Sequence, residues 1–215
     1  MAEKGISQAV IGRLPRYYRY LGELKTQGVE RISSHELSKL MHVTASQIRQ
    51  DFNNFGGFGQ QGYGYNVLYL HNEIGNLLGI HKKHDMILIG AGKLGQAVVG
   101  YINAKDMPYS FKAAFDVNKD LIGTKVGDLP VMSMEDMPSY ALENHIEIAA
   151  LTVPRTVAVE TAEKLVACNI RAIWNFAHID LRVPEHIEVE NVHLLDSLMR
   201  LSYNLQRHQD AEAER

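Results

Sequence analysis

Cysteine is almost missing from this sequence. The single Cys168 in 215 residues excludes an internal disulfide framework. It ends the helical pattern Ala162-Glu163-Lys164-Leu165-Val166-Ala167-Cys168, which assigns it to packing rather than to thiol chemistry. Long apolar runs are missing too: no segment reaches the roughly 18 consecutive apolar residues of a membrane span, and no leader pattern opens the chain. A cytoplasmic protein with no membrane partner is the expectation. Charge of one sign is scarce, and a net charge of −3 points by itself to no partner. Metal-ligand spacing is also lacking, because His81 and His84, either side of Lys82-Lys83, have no cysteine or carboxylate at ligand distance in sequence. That stretch reads as a polar hinge.

What is present is unevenly spread. Residues 1–83 carry ten Lys/Arg against six Asp/Glu, and residues 84–215 carry twelve against nineteen, so the parts are about +4 and −7. Such asymmetry suggests an N-terminal part that meets a polyanion, although a modest basic excess is also what an ordinary solvated face carries. With 46% apolar residues there is ample material for two cores.

The strongest local pattern is Met86-Ile87-Leu88-Ile89 running into Gly90-Ala91-Gly92-Lys93-Leu94-Gly95 and then the helix-like Gln96 to Ile102. In a dinucleotide-binding turn Gly90 permits the tight turn, Gly92 lets backbone approach a pyrophosphate, and Gly95 lets helix and strand pack closely. The helix N-terminus receives the negative charge. A second apolar run, Phe111 to Phe115, ends at Asp116, where an acid accepts hydrogen bonds from the adenosine ribose and repels a 2′-phosphate. NAD(H) is therefore favoured over NADP(H). The plainer alternative is a glycine turn closing an ordinary α/β unit.

Upstream, residues 7–27 read as helical, with Ser7 as cap, Pro15 in an early turn or at a kink, and Val10, Leu14, Tyr18, Leu21 and Leu24 as the apolar repeat. Arg13, Arg16 and Arg19 lie on its other faces. Ser33-Ser34-His35-Glu36 is a capping box, followed by Leu37, Leu40 and Met41, and so opens a short helix. Thr44-Ala45-Ser46-Gln47 is a second box, opening a helix whose Ile48 and Phe52 face inward. Two short helices so joined make a helix-turn-helix, and Ser46, Arg49, Gln50 and Asn53 present base- and phosphate-bonding groups on the outer face. A small helical hairpin with a polar outside remains the alternative. The glycine- and aromatic-rich Gly56 to Val67 reads as a wing, with Tyr63 reaching toward the sugar-phosphate edge. Residues 68–80 then form a connecting helix with Leu70, Ile74, Leu77 and Leu78 buried.

Downstream come a segment from Val126 to Val131, a helix from Ser133 to Asn144, and strands over 146–154 and 170–176, with Pro154 in the first turn of the next helix. This alternation predicts an α/β fold, a doubly wound parallel sheet. Strand ends carry the site in such folds, so Thr152, Val153, Pro154, Asn175 and Phe176 are expected over the nicotinamide half of the cofactor. The terminal stretch has Leu194, Leu195, Leu198, Met199, Leu201 and Leu205, an arc too wide for one supporting surface. It is expected to pack on a second subunit, with a frayed polar end from His208.

Together, Arg13 to Leu21, Val43 to Phe52, Gly62 to Val67, Gly90 to Gly95, Leu151 to Pro154 and Asn175-Phe176-Ala177 resemble the Rex family of bacterial redox-sensing transcriptional repressors. The resemblance implies a winged helix-turn-helix DNA-binding domain at 1–80, a Rossmann-type NAD(H)-binding domain at 81–193, and a swapped C-terminal dimerisation helix and tail at 194–215. It implies a homodimer that binds operator DNA when NADH is scarce and is released by NADH. DNA contacts fall to Arg13, Ser46, Gln47, Arg49, Gln50, Asn53, Gln61 and Tyr63. The cofactor falls to Gly90 to Gly95, Tyr101, Asp116, Thr152 to Pro154, Asn175 and Phe176. Two departures stand out: Gln50 and Gln61 occupy positions where many members are basic, and His193 stands where many carry an aspartate near an arginine matching Arg19 and a tyrosine matching Tyr101. Glu190 and Asp196 are the carboxylates nearby in sequence.

The rival reading is an NAD-dependent dehydrogenase with an appended regulatory domain, which needs a base near the nicotinamide C4. His178 is nearest a strand end, with no substrate-fixing arginine or lysine apparent beside it. A purely structural dimerisation module leaves the glycine turn and Asp116 unexplained.

Overall fold

The helix expected over residues 7–27 is broken once. α1 (Gln8–Ile11) stops at Gly12, and α2 (Leu14–Thr26) restarts with Pro15 in its first turn, where a missing N–H is harmless. Ser7 holds the cap position of α1 without lending its side chain. The computed structural model describes residues 6–54, 59–60, 63–105 and 107–213, in two units, Met1–Lys82 and Lys83–Arg215.

In the first unit β1 (Arg31–Ile32) precedes α3 (Ser34–Met41) and α4 (Ala45–Asn53). The first capping box is complete: Glu36 N–H donates to Ser33 Oγ at 3.1 Å, and Ser33 N–H donates to Glu36 Oε2 at 2.8 Å. The second is only half made. Gln47 N–H donates to Thr44 Oγ1 at 3.1 Å, but the Gln47 side chain turns to Asp51 instead of back to the cap. A buried carboxylate needs donors that water cannot supply, whereas an exposed cap amide does not. Leu37 and Met41 are buried, while Leu40 is 40% exposed.

β2 (Gly59–Gln60) and β3 (Gly64–Asn66) complete an antiparallel sheet of order β1-β3-β2, in which the short β1 was not anticipated. Gly64 has φ +70°, and a Cβ there would lie 2.9 Å from the Ile32 carbonyl oxygen, so the wing needs glycine at this point. α5 (Val67–Leu77) is capped by Asn66, whose Oδ1 accepts from Tyr69 N–H at 2.8 Å. It is a core element rather than a connector: Leu70 and Ile74 are fully buried with Leu14, Tyr17, Leu21, Ile48 and Phe52, although Leu77 is exposed.

The second unit runs β4 (His84–Ile89), α6 (Lys93–Asn103), β5 (Tyr109–Asp116), β6 (Lys125–Val126), β7 (Leu129–Ser133), α7 (Met137–Glu143), β8 (Ile148–Leu151), α8 (Arg155–Ala167), β9 (Ala172–Asn175), β10 (Glu188–Asn191) and α9 (Leu194–Ala213). Its sheet has the order β10-β9-β8-β4-β5-β7-β6, parallel except for β6 against β7. The single segment expected over 126–131 is a hairpin turning at Gly127, φ +61°. α7 starts at Met137 rather than Ser133, and Pro154 caps α8 rather than entering its first turn. On β4, Ile87 and Ile89 join one core, while Met86 and Leu88 join the other, as strand alternation requires. Cys168 is buried just beyond α8, and that burial pushes its thiol pKa up.

The sheet topology places the site. β4 has β5 on one side and β8 on the other, so the direction of winding reverses between β4 and β8, and a crevice opens at their carboxyl ends. α9 is different. Each of its described positions is exposed, including Leu194 at 62%, Leu198 at 56%, Leu201 at 62% and Leu205 at 58%. It continues as helix to Ala213, past the His208 where fraying was expected.

Candidate dinucleotide site and DNA-reading helix

At the switch point the chain leaves β4 through Gly90, whose φ of +95° would set a Cβ 2.9 Å from the Thr152 carbonyl oxygen. Gly95 backs the turn: a Cβ there would collide with the Gly90 carbonyl oxygen, so no larger residue lets α6 pack so closely. Gly92 contrasts with both, since a Cβ on it meets nothing within 4 Å. It faces open space. Gly92 is also the cap residue of α6 and offers no side chain, leaving first-turn N–H groups of Lys93 and Leu94 available to an anion.

Asp116 ends β5 beside this loop. Its Oδ2 accepts from Ala91 N–H at 2.7 Å and its Oδ1 from Asn118 N–H at 2.8 Å, so the carboxylate is held in place while each oxygen keeps a further lone pair. From the far side Thr152 Oγ1 lies 2.8 Å from the Gly90 carbonyl oxygen and 3.1 Å from that of Ile89, tying β8 to the loop. Gly90, Gly92, Lys93, Leu94, Asp116, Thr152, Val153 and Pro154 therefore border one cleft of ≈ 620 Å³. Sequence reasoning missed Val117, Met134, Val157, Glu160 and Lys164 on its walls. Val117 follows Asp116 directly, and that adjacency was the available signal; Glu160 and Lys164 form an exposed pair, 2.8 Å apart, one turn apart on α8.

Asn175 and Phe176, expected over the nicotinamide, do not line this cleft. The Asn175 amide donates to the Ile179 carbonyl at 2.8 Å and to Asn191 Oδ1 at 2.7 Å, and its oxygen accepts from Ala177 N–H at 3.0 Å. A buried amide so satisfied ties the loop after β9 to β10. Phe176 packs edge-on to Trp174, centroids 4.6 Å apart, in the core on the other face of the sheet. Tyr101 is 63% exposed on α6, away from the cleft, with Lys105 Nζ 5.3 Å from its ring centre.

His193 sits between β10 and α9. Its Nε2 is 3.4 Å from Asp180 Oδ1, so the carboxylate that meets the ring is Asp180 and neither Glu190 nor Asp196; Asp196 gives only a backbone N–H to the His193 carbonyl, at 3.2 Å. His178 stands edge-on to His193 at 5.2 Å. Contrary to the sequence reading, arginines do accompany His178: Arg155 and Arg182 share a hollow of ≈ 550 Å³ with it, Asp180 and His193. Arg19 belongs to the first unit, on α2, with its guanidinium 5.2 Å from the Tyr20 ring centre.

In the helix-turn-helix, Ser46, Arg49, Gln50 and Asn53 are all exposed on α4. Arg49 Nη1 donates to Ser34 Oγ at 3.2 Å, which holds its guanidinium across the gap to α3. Tyr63 is 71% exposed on the wing, where Arg31 Nη1 donates to its carbonyl at 3.0 Å. Gln61 lies outside the described residues. Arg13 and Gln47 depart from expectation. Arg13 Nε and Nη2 both donate to Asp51 at 2.7 Å, and Gln47 Nε2 donates to the same carboxylate at 2.8 Å, so both side chains face inward. Arg16, on another face of α2 from the apolar repeat, donates to the Met41 carbonyl at 2.6 Å and so caps α3.

Residues 5–53 match the family model described as putative DNA-binding protein N-terminus, and residues 81–179 match that described as CoA binding domain. The chain is 52% identical over 200 residues to the redox-sensing transcriptional repressor Rex of Caldanaerobacter subterraneus subsp. tengcongensis, covering 93% of this chain and 89% of that one. The chain belongs to the Rex family. Two crystal structures of RSP, a Rex-family repressor, superpose on it closely. The complex with β-NAD⁺ and operator DNA has TM-score 0.89 and 50% identity, over 98% of this chain and 97% of that one. The complex with β-NADH has TM-score 0.89 and 47% identity, over 98% and 99%. Rex proteins are regulators rather than enzymes, and the dehydrogenase reading falls with that. No helix among the described residues is long and apolar enough to cross a membrane.

Proposed function

We propose that this Rex protein is an NADH-responsive repressor of the cytoplasm, a homodimer that holds operator DNA through α3, α4 and the wing and lets go when NADH fills the Gly90–Thr152 cleft. The observation that carries the reading is the pairing, in one chain, of an exposed polar helix face with a switch-point cleft whose glycine turn and ribose acid are preformed. The fit to the cofactor is geometric: open space beyond Gly92 for a pyrophosphate, uncapped N–H groups of α6 facing it, and Asp116 held for ribose hydroxyls. That RSP binds β-NADH, and β-NAD⁺ with operator DNA, supports both ligands. NADH and NAD⁺ then compete for one site.

The assigned cofactor residues are Gly90 to Gly95, Asp116 and Thr152 to Pro154; the assigned DNA residues are Ser46, Arg49, Gln50 and Asn53, with Tyr63 on the wing. Release needs only differential affinity. NADH shifts the population from the DNA-competent to the incompetent dimer by the difference in its affinity for the two, and by no more. The uncovered leucines of α9 support its role as the dimer element, because a monomer seldom leaves so long an apolar stripe in water.

The experiment is to add NADH and carbonyl substrates to the full-length protein while measuring binding to genomic fragments it selects. The reading predicts NADH-reversible binding without turnover, and steady NADH oxidation without DNA binding would sink it. In parallel, deleting residues from Leu194 onward is expected to give a monomer by sedimentation; a persistent dimer would remove α9 from that role.

A further inference from the structure

The face of α4 that looks inward is not simply apolar. Ile48 and Phe52 pack in the core, but between them the helix buries a carboxylate, Asp51, that is 0% exposed. Arg13 Nε and Nη2 donate to it at 2.7 Å each, Tyr17 Oη at 2.8 Å, and Gln47 Nε2 at 2.8 Å. Arg13 stands at the break between α1 and α2, and Tyr17 is on α2. Two of the three donor side chains, Arg13 and Gln47, are ones the sequence reading sends to the DNA. A few residues on, Arg16 reaches the last carbonyl of α3. Both helices of the helix-turn-helix are therefore held from one side by α2.

We propose that Asp51, gripped by Arg13 and Tyr17, is a positioning residue for operator reading: it fixes the rotation of α4 about its own axis and so decides which side chains face the groove. Apolar contacts alone do not do this, because they are non-directional and tolerate rolling and sliding. A buried carboxylate is different. Each of its bonds has a required direction, and any rotation of α4 that carries Asp51 off its donors leaves an uncompensated charge in the core. One residue of rotation turns an α-helix by about 100°, which would replace the outward set Ser46, Arg49, Gln50 and Asn53 with another. Burial works against the Asp51 anion, yet the bonds from Arg13, Gln47 and Tyr17 together hold its carboxyl below the usual carboxylate range. The anion is the form the network is built for.

This rests on the reading that α4 enters the major groove, and the test separates the two. Full-length wild type, Tyr17→Phe, Asp51→Asn and Arg49→Ala are compared for binding to a genomic fragment selected by the wild type and to a scrambled duplex of equal length and salt. Measurements are made well below each variant's melting temperature, with NADH binding as a check on the rest of the chain. Tyr17→Phe keeps three of the four hydrogen bonds to the carboxylate, so it is the variant to rely on where Asp51→Asn fails to fold. The inference predicts that Tyr17→Phe loses about tenfold or more in affinity for the selected fragment, the scale of one base contact. Binding to the scrambled duplex changes little, since phosphate contacts carry no sequence information. If Arg49→Ala lowers the ratio of the two affinities and Tyr17→Phe leaves it unchanged, or lowers both affinities equally, Asp51 has a structural role only and the inference is overturned. If Arg49→Ala also leaves the ratio unchanged, α4 is not the reading helix and the proposed function fails at that point instead.

Discussion

Asp116 Oδ2 accepts the Ala91 N–H at 2.7 Å, so the acid at the end of β5 and the second residue of the glycine turn are one rigid piece. In the proposed function the carboxylate has two jobs, anchoring the loop against which a pyrophosphate would lie and offering its remaining lone pairs to ribose hydroxyls. Asp116→Ala is expected to weaken NADH binding by about 1.5–3 kcal/mol, the scale of a lost hydrogen bond to a charged group, and to narrow the preference over NADPH. Fluorescence titration with both cofactors checks it. Equal wild-type affinities for NADH and NADPH would mean that Asp116 does not meet the ribose.

Gly92 and Gly95 are predicted to behave oppositely when enlarged. Gly92→Val places its side chain in open space, so melting temperature should stay near wild type while NADH no longer relieves DNA binding. Gly95→Ala drives a methyl against the Gly90 carbonyl, and overpacking of that kind costs about 1–3 kcal/mol. Its melting temperature should fall along with cofactor affinity. Similar melting temperatures for the two variants would argue against this packing of the turn.

Acid should weaken the DNA-binding unit in two steps. His71 is buried against Tyr18, rings stacked 4.1 Å apart, and burial, reinforced by Lys25 and His81, lowers its pKa below the ordinary value. The unfolded chain then binds the proton more tightly, so stability is full above about pH 6.5 and falls as pH drops below it. Asp51, whose carboxyl is held low, gives stability that is present above about pH 3.9 and lost as pH falls further. Chemical denaturation between pH 7.5 and 5 checks the first step: His71→Phe should flatten it, and an unchanged slope in that variant would assign the loss elsewhere.

Gln50 should set a base preference. Glutamine pairs with adenine N6 and N7, whereas lysine donates to guanine O6 and N7, and the difference is about 1–3 kcal/mol per contact. Gln50→Lys should raise affinity for an operator with G·C substituted at the contacted pair. If the new charge meets phosphate instead, only the salt dependence steepens. No change in either would take Gln50 out of the groove.

The elements that were legible in the sequence are those whose cause is local. The strand, the glycine turn and Asp116 lie within one βαβ unit, and Ser33 and Glu36 cap α3 across three residues. What was not legible depends on distant partners. Arg13 reads as a DNA contact until Asp51, 38 residues away, is seen to take its Nε and Nη2. Asn175 reads as a strand-end ligand until Ile179 and Asn191 are seen to use its amide. β1, two residues long, has too few positions to show alternation and exists only because β3 pairs with it. Asp180 was missed because its approach to His193 spans 13 residues of loop and strand with no periodic pattern.

The central claim is that occupancy of the Gly90–Thr152 cleft by NADH opposes DNA binding by α4. Its most direct test is fluorescence anisotropy of a selected operator fragment with the full-length protein, titrated with NADH at fixed NAD⁺, for wild type and Gly92→Val side by side. The account predicts that NADH dissociates the wild-type complex and leaves the Gly92→Val complex intact. Release of both complexes at the same NADH concentration, or of neither, would contradict it.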